Sequence, residues 1–146
     1  TQKVNWKDLD FIIVDMPPGT GDTQLTFSQE IKMDGAIIVS TPQEVALLDV
    51  KRGIKMFDKL GVKIIGLIDN MSYFIGDDKK RYNIFGEDGV RKTAEEFEKD
   101  FLGEIPIFPD VGKAGDNGMP IVEENPEHEV SKIYLSLAEK IKKNYL

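Results

Sequence analysis

The run from Leu9 to Asp22 constrains the fold of this chain more than any other segment. Five apolar or aromatic residues lie in Leu9–Val14, interrupted only by Asp10, and their length and β-branching are typical of a buried strand. Asp15 follows directly, and a Pro-Pro-Gly-Thr-Gly-Asp turn ends the run. An acid at the carboxyl end of a parallel strand faces the crevice where open α/β sheets bind ligands.

The turn has the composition of an anion-binding loop. Prolines stiffen its start, and Gly19 and Gly21 let backbone N–H groups approach an anion closely. A hard carboxylate beside such a turn is what a magnesium–nucleotide site requires. We therefore predict that Asp15 holds Mg²⁺ through water, whereas Asp22 has either a catalytic role or caps the next helix.

Strand-like and helical patterns alternate along the chain, which indicates βαβ crossovers. We expect one three-layer α/β domain over residues 1–146, with a mostly parallel sheet. Charged residues at 77–81 predict an exposed loop or hairpin tip. The predicted strands are Leu9–Asp15, Ala36–Ser40, Lys63–Asn70 and Phe101–Pro106, and the predicted helices are Thr23–Met33, Glu44–Leu60, Asp88–Lys99 and Glu127–Asn144.

Composition excludes several classes of function. The net charge of −7 argues against a nucleic-acid partner, which would need a basic face. The chain has no cysteine, so disulfides and cysteine-ligated metal sites are excluded within it. No apolar run approaches the ~20 residues of a membrane span and no secretory signal opens the chain, so the expected location is the cytoplasm.

The segment Trp6–Asp22 resembles the signature of the Mrp/ApbC group, P-loop ATPases of the MinD/ParA superclass associated with iron–sulfur cluster delivery. This resemblance implies a P-loop NTPase fold of which the chain is the C-terminal part, with ATP and Mg²⁺ as cofactors. It also implies a homodimer with iron–sulfur client proteins, while the charge and the lack of an apolar span argue against nucleic-acid and membrane partners. The matching positions are Trp6, Asp10, Asp15, Pro17, Pro18, Gly19, Gly21 and Asp22.

The resemblance implies roles for individual residues. Asp15 would be the Walker-B-type carboxylate, the turn Gly19-Thr20-Gly21 would sense the γ-phosphate, and Pro18 would belong to the nucleotide-binding site. Asn70 matches the asparagine that contacts adenine, although an asparagine can also simply end a strand. Pro106 and Asp110 fall in the segment that closes over the base. Prolines in this segment are explained equally well by their common use to stiffen a loop.

The loop Ser40–Gln43 would lie near the nucleotide and the dimer interface by the same resemblance. A simpler interpretation is that Thr41 caps the second helix and Pro42 is its first residue.

The chain departs from the family pattern at two places. It has no Walker A loop, because Gly112-Lys113 is followed by Ala114 where Ser or Thr is needed. We therefore expect the chain alone to hydrolyse ATP poorly or not at all. Many members carry a Cys-x-x-Cys pair where this chain has Gly76 and Lys79, and neither residue can ligate iron.

The C-terminal helix carries His128 near its start and an apolar stripe along its length. We expect His128 to be a surface residue, because no second histidine or cysteine exists to complete a metal site. We expect the helix to pack on the sheet and not to bind membranes. The stripe comprises Val130, Ile133, Tyr134, Leu137 and Ile141.

The sequence thus favours an ATP-binding and ATP-hydrolysing protein of iron–sulfur cluster assembly or delivery. Two alternatives stay open: a non-catalytic scaffold with a nucleotide-binding fold, and a positioning ATPase of the MinD/ParA type. In this superclass the strand with the phosphate loop lies beside the strand that ends at Asp15. Without that neighbour, we expect rearranged strand pairing, swapping or oligomerisation of this chain.

Overall fold

The computed structural model describes residues 4–17 and 21–145. Its strands are β1 (Ala36–Ser40), β2 (Ile64–Asn70), β3 (Phe74–Ile75), β4 (Arg81–Tyr82) and β5 (Phe101–Ile105). A central parallel sheet contains three of them in the order β1-β2-β5, with Ser40 opposite Asp69 and Asp69 opposite Glu104. The other two strands, β3 and β4, form a separate antiparallel hairpin that follows the central strand in the chain.

Helices precede, connect and follow these strands. Their bounds are α1 (Asp22–Glu30), α2 (Glu44–Leu60), α3 (Gly89–Glu96), α4 (Pro109–Asp116), α5 (Ile121–Glu124) and α6 (Glu129–Tyr145). The crossovers α2 and α3 join parallel strands, as the alternating pattern predicts. None of the helices in the described part of the chain has the length and apolar character needed to cross a membrane.

Two apolar cores cover the two faces of the sheet, so the predicted three-layer α/β architecture is confirmed. On one face Leu67 packs with Val50 and Ile54 of α2 and with Val90 and Ala94 of α3. On the other face the core contains Ile68, Leu102, Ile105, Ala114, Ile121, Val130 and Leu137. The central strand β2 is therefore covered on both sides, which explains its nearly continuous apolar sequence.

The predicted amphipathic faces are also confirmed. In α2, Val50 and Ile54 are buried while Leu47 and Phe57 pack at the margin of the same core. Gly61 ends this helix in the left-handed conformation with φ 70°, as its position predicts. In α6, the whole predicted stripe belongs to the second core or packs against it, so this helix lies on the sheet.

Helices α4 and α5 and the strands of the hairpin do not follow from the apolar periodicity. Helix α4 begins with Pro109 at its first turn and contains Gly112 and Gly115, residues that weaken a helical pattern in sequence. The hairpin strands have two residues each, too short for a period-two signal. Its tip lies within the predicted exposed segment 77–81.

The prediction of a strand at Leu9–Asp15 is wrong in this structure. These residues form no strand, and the exposed fractions of their apolar side chains run from 45% for Val14 to 94% for Ile13. An apolar run becomes a strand only where a neighbouring backbone completes its hydrogen bonds. Among the described strands, β1 pairs with β2 alone, and none pairs with residues 9–15.

Two helix starts also differ from the interpretations based on capping residues. Helix α2 begins at Glu44 with Gln43 as its N-cap, so Thr41 is not the cap and Pro42 lies outside the helix. Helix α1 begins at Asp22 with Gly21 as its N-cap, so Asp22 is not the cap either. Glycine is an accepted N-cap because it takes extended backbone angles without steric cost.

Candidate functional site

The carboxyl edge of the sheet brings together the ends of β2 and β5. After β2, the Ser72 amide and hydroxyl both donate to the Ile105 carbonyl, at 3.1 and 3.2 Å. The Ile107 amide then donates to the Tyr73 carbonyl at 2.7 Å. These bonds hold the segment after Asn70 against the segment around Pro106, so two of the predicted site residues share one edge.

A mainly apolar cavity of about 270 Å³ adjoins this edge on the side of α6. Asn70 and Tyr134 supply its side-chain polar groups, and the remaining lining residues are Val39, Ile68, Ile105, Leu137, Ala138 and Ile141. An amide beside an apolar space offers one hydrogen-bond donor and one acceptor to a ligand. This placement is consistent with the predicted role of Asn70.

Asp110 lies in the first turn of α4, where a carboxylate is favoured by the helix dipole. Its Oδ1 accepts a hydrogen bond from Lys113 Nζ at 3.2 Å, and its Oδ2 is 3.6 Å from His128 Nε2. The same helix contains the Gly112-Lys113 pair, which is helical and therefore does not form a phosphate loop. A structural role at the start of α4 accounts for the observed contacts of Asp110.

His128 is half-buried and packs against the C-terminal part of the chain, so the prediction of a simple surface residue is wrong. Its ring meets Phe108 edge to face with 5.0 Å between centroids. Its Nδ1 accepts the Val130 amide at 3.2 Å, just after the start of α6. The sequence signal for this role is the position of His128, two residues before Val130 at the start of the last helix, from where its ring can accept the hydrogen bond of the Val130 amide.

The other predicted half of the site is not joined to Asn70 through the sheet. Asp15 is exposed in the unpaired segment, and the predicted residues Pro18, Gly19 and Thr20 lie outside the described residues. Gly21 is the N-cap of α1. Among the residues that the structure describes, no group of three or more His, Asp or Glu side chains is placed to hold a metal ion.

A charged cluster that the sequence analysis did not identify lies near the end of β2. It consists of Asp69, Arg81, Asp88, Arg91 and Glu104, drawn from the central strand, the hairpin, the start of α3 and β5. Arg81 Nη2 donates to Glu104 Oε2 at 2.9 Å, and its guanidinium lies 3.9 Å from the centroid of the Tyr73 ring. The hairpin is thereby fastened to the edge of the sheet.

Asp69 is the buried member of this charged cluster, because only 4% of the residue is exposed to solvent. Its Oδ1 has no hydrogen-bond partner among the described residues. Burial, and then the negative charges of Glu104 and Asp88, raise the pKa of Asp69 to about 6, while Arg81 and Arg91 oppose the rise. The sequence signal is an acid directly after the mainly apolar segment from Ile64 to Ile68.

From the raised pKa of Asp69 we predict how the free energy of unfolding depends on pH. The folded protein holds the Asp69 proton more tightly than the unfolded chain does, so ionisation of Asp69 destabilises the fold. Relative to an Asp69→Asn variant, the free energy of unfolding should fall by up to about 3 kcal/mol as pH rises from about 4 to about 6, then stay level. Chemical denaturation at a series of pH values measures this difference.

Asp116→Asn is the matched control, because it removes one carboxylate from an exposed position at the end of α4. It separates the effect of burial from the loss of one negative charge. If the unfolding free energies of the native chain and of Asp69→Asn run parallel over the same pH range, the assignment to Asp69 is wrong.

A family model and several known proteins match this chain over nearly its whole length. The family model "ParA: NUBPL iron-transfer P-loop NTPase" matches residues 1–142. A Synechocystis iron-sulfur cluster carrier protein is 47% identical over 141 residues, which are 95% of this chain and 40% of that protein. The mouse iron-sulfur cluster transfer protein NUBPL is 45% identical over 141 residues, which are 96% of this chain and 44% of that protein. The chain thus spans less than half the length of these two relatives.

Solved structures show the same fold. A nucleotide-binding protein from Archaeoglobus fulgidus in complex with ADP aligns with a TM-score of 0.72 at 37% identity, over 85% of this chain and 50% of that chain. The cell division ATPase MinD from Pyrococcus furiosus aligns with a TM-score of 0.68 at 25% identity, over 92% of this chain and 52% of that chain.

Proposed function

Since this chain belongs to the ParA family of NUBPL iron-transfer P-loop NTPases, we propose that it is the adenine-binding and magnesium-binding part of an ATPase for iron–sulfur cluster assembly or delivery. The observation that carries the proposal is the match of one family model to residues 1–142. Relatives named as iron–sulfur carriers and a similar structure with bound ADP support it. In this proposal, residues 1–146 are the C-terminal part of a single P-loop NTPase domain.

In this proposal Asn70 reads the edge of the base and Pro106 shapes the wall beside it. Support comes from the hydrogen bonds that hold the segments after β2 and β5 together, and from the cavity that Asn70 lines. A planar purine fits a mainly apolar space with one amide at its rim. Asp110 follows Pro106 by four residues and is also proposed to contact the base, although its carboxylate pairs with Lys113.

Asp15 is proposed as the carboxylate that holds Mg²⁺ through water, with Pro18, Gly19, Thr20 and Gly21 near the γ-phosphate. A single carboxylate suffices for this metal, because Mg²⁺ keeps several waters and takes its other ligands from phosphate oxygens. When bound, Mg²⁺ would neutralise charge on the phosphates. Asp22, the first residue of α1, is the proposed catalytic group.

A hybrid protein tests the proposal. In it, this chain replaces the matching segment of the Escherichia coli iron-sulfur cluster carrier protein, which is 43% identical over 141 residues and of which the chain covers 38%. We expect the hybrid to hydrolyse ATP, and Asp15→Ala to lower kcat about 100-fold or more, as removal of a metal-positioning group does. Asp8→Ala is the matched control, because Asp8 is an exposed carboxylate of the same segment that is not one of the signature positions. Equal turnover by the hybrid and by its Asp15→Ala variant would reject the role of Asp15.

Asn70→Ala should act on affinity and not on turnover. Loss of a paired amide costs about 1.4 kcal/mol, so the KM for ATP should rise about 10-fold while kcat changes little. Asn117→Ala is the control, because Asn117 is an exposed residue at the end of α4. A loss of kcat at constant KM would place Asn70 outside base recognition.

A hybrid that folds and binds ATP without turnover would favour the scaffold alternative. A homodimer and iron–sulfur client proteins complete the proposal and rest on family membership, whereas the proposed cytoplasmic location rests on the sequence composition. Light scattering of the hybrid with and without ATP tests the dimer.

A further inference from the structure

The imidazole ring of His128 lies between the first turns of α4 and α6 and contacts both helices. We infer that this ring is a pH-sensitive N-cap: neutral His128 caps α6, and protonated His128 releases the cap and turns toward Asp110 of α4. The inference concerns the start of α6 and does not depend on the proposed binding of ATP.

In its neutral form the ring satisfies a backbone amide at the start of α6. His128 directly precedes this helix, and its Nδ1 accepts a hydrogen bond from the Val130 amide at 3.2 Å. That amide is one of the first four N–H groups of the helix, which have no acceptor within the helix itself. Because Val130 is fully buried, water does not readily replace the ring nitrogen, and the cap stabilises the first turn.

Protonation of the ring is incompatible with this hydrogen bond. An imidazolium carries a proton on both nitrogens, so Nδ1 becomes a donor and faces a second donor, the Val130 amide, at 3.2 Å. A positive charge at the N-terminus of a helix is also opposed by the helix dipole. The protonated ring therefore has to leave the position that it holds in the neutral form.

Asp110 offers the protonated ring a new partner. Its Oδ2 lies 3.6 Å from His128 Nε2, which is slightly too long for a hydrogen bond. Lys113 Nζ donates to the other oxygen, Oδ1, so Oδ2 is left for the ring. A small movement toward Asp110 makes a charge-assisted hydrogen bond, and the same movement takes Nδ1 away from Val130.

Other charged groups surround the ring without replacing either partner. Lys132 pairs with Glu127 at 3.0 Å, so these two charges largely compensate each other. The charged residues on the surrounding elements are Asp110 and Lys113 of α4, Glu123 and Glu124 of α5, and Glu127, Glu129 and Lys132 around the start of α6.

The rest of the corner between α5 and α6 is held by groups that do not titrate. The Ser131 hydroxyl lies 2.7 Å from the Asn125 carbonyl and 3.2 Å from the Ile121 carbonyl. The His128 amide also donates to the Asn125 carbonyl, at 3.1 Å. We therefore expect protonation to loosen the first turn of α6 without unfolding the helix.

Amide hydrogen exchange of Val130, followed by NMR between about pH 8 and pH 5, tests the inference, because imidazole side chains titrate in this range. We expect its protection factor, corrected for the intrinsic pH dependence of exchange, to fall about 5-fold at the acidic end, as loss of one N-cap allows. His128→Asn is the matched control, because asparagine caps a helix without titrating. Val130 protection in this variant should stay level apart from any effect of Asp69, whose pKa of about 6 affects both chains equally.

A second measurement locates the proton on the ring. His128 is the only histidine of the chain, so the ¹⁵N signals of its ring need no assignment. At about pH 8 we expect the proton on Nε2 and none on Nδ1, as the cap requires. Both measurements use chains that carry Phe11→Ser/Ile13→Lys, which interrupts the exposed apolar run of residues 9–14 and so limits association.

Two outcomes would overturn the inference. If Val130 protection has the same pH dependence with His128 and with His128→Asn, including none in either, His128 is not the sensor. A proton on Nδ1 at about pH 8 would show that the ring does not cap α6.

Discussion

The 146-residue chain is expected to self-associate at micromolar concentrations, and charge placed at Ile13 is expected to reduce that association strongly. Ile13 is 94% exposed, and the other apolar side chains of residues 9–14 are about half exposed or more. Strand β1 leaves one edge unpaired among the described strands. Burial of each such side chain contributes about 1.5–3 kcal/mol, so pairing between copies is favourable.

Light scattering coupled to gel filtration measures the effect over a range of concentrations. The test variant is Phe11→Ser/Ile13→Lys, which interrupts the apolar run with a charge. Val45→Lys is the matched control, since Val45 is 72% exposed on α2 and isolated exposed apolar residues are ordinary on protein surfaces. A native chain that stays monomeric at high concentration would contradict the prediction.

The single substitution Leu67→Ala should strongly lower the free energy of unfolding of this chain. Leu67 is fully buried in the centre of β2, where it packs between α2 and α3 with Val50, Ile54 and Val90. Leucine-to-alanine changes at such sites cost about 2–5 kcal/mol, because transfer free energy is lost and a cavity remains. For a domain of this size we expect the unfolding midpoint to fall by about 10 °C.

Leu48→Ala provides the matched control, because it makes the same chemical change at a residue that is 58% exposed on α2. Both changes are best measured in the Phe11→Ser/Ile13→Lys background, where association does not shift the transition with concentration. Similar midpoints for Leu67→Ala and Leu48→Ala would mean that Leu67 does not belong to the cooperative core.

Local patterns were sufficient where an element has enough residues to repeat its period. The predicted bounds of β1 and α2 agree with the structure, and β2 and β5 differ by one residue at one end. The alternation of strands and helices also predicted the parallel sheet and its two covered faces. Short or glycine-containing elements such as α4 were not predicted, because their local preference for a helix or strand is weak.

For the candidate site, sequence reasoning found the residues at strand ends and missed those that depend on neighbours. Asn70 and Pro106 were named as candidates because they match the family resemblance, and hydrogen bonds hold the segments that contain them along one edge of the sheet. Asp69 was passed over, although its burial and its raised pKa make it the most perturbed carboxylate of the described residues. Its environment comes from the hairpin, α3 and β5, which local sequence does not bring together.

The sequence by itself determined the α/β class, the family signature at Trp6–Asp22 and the absence of thiolates, because each depends on residue types at short spacing. Tertiary structure alone decided whether Leu9–Asp15 is a strand and how deeply Asp69 is buried. These properties depend on contacts between residues distant in the chain: the backbone beside a strand and the charges around a carboxylate.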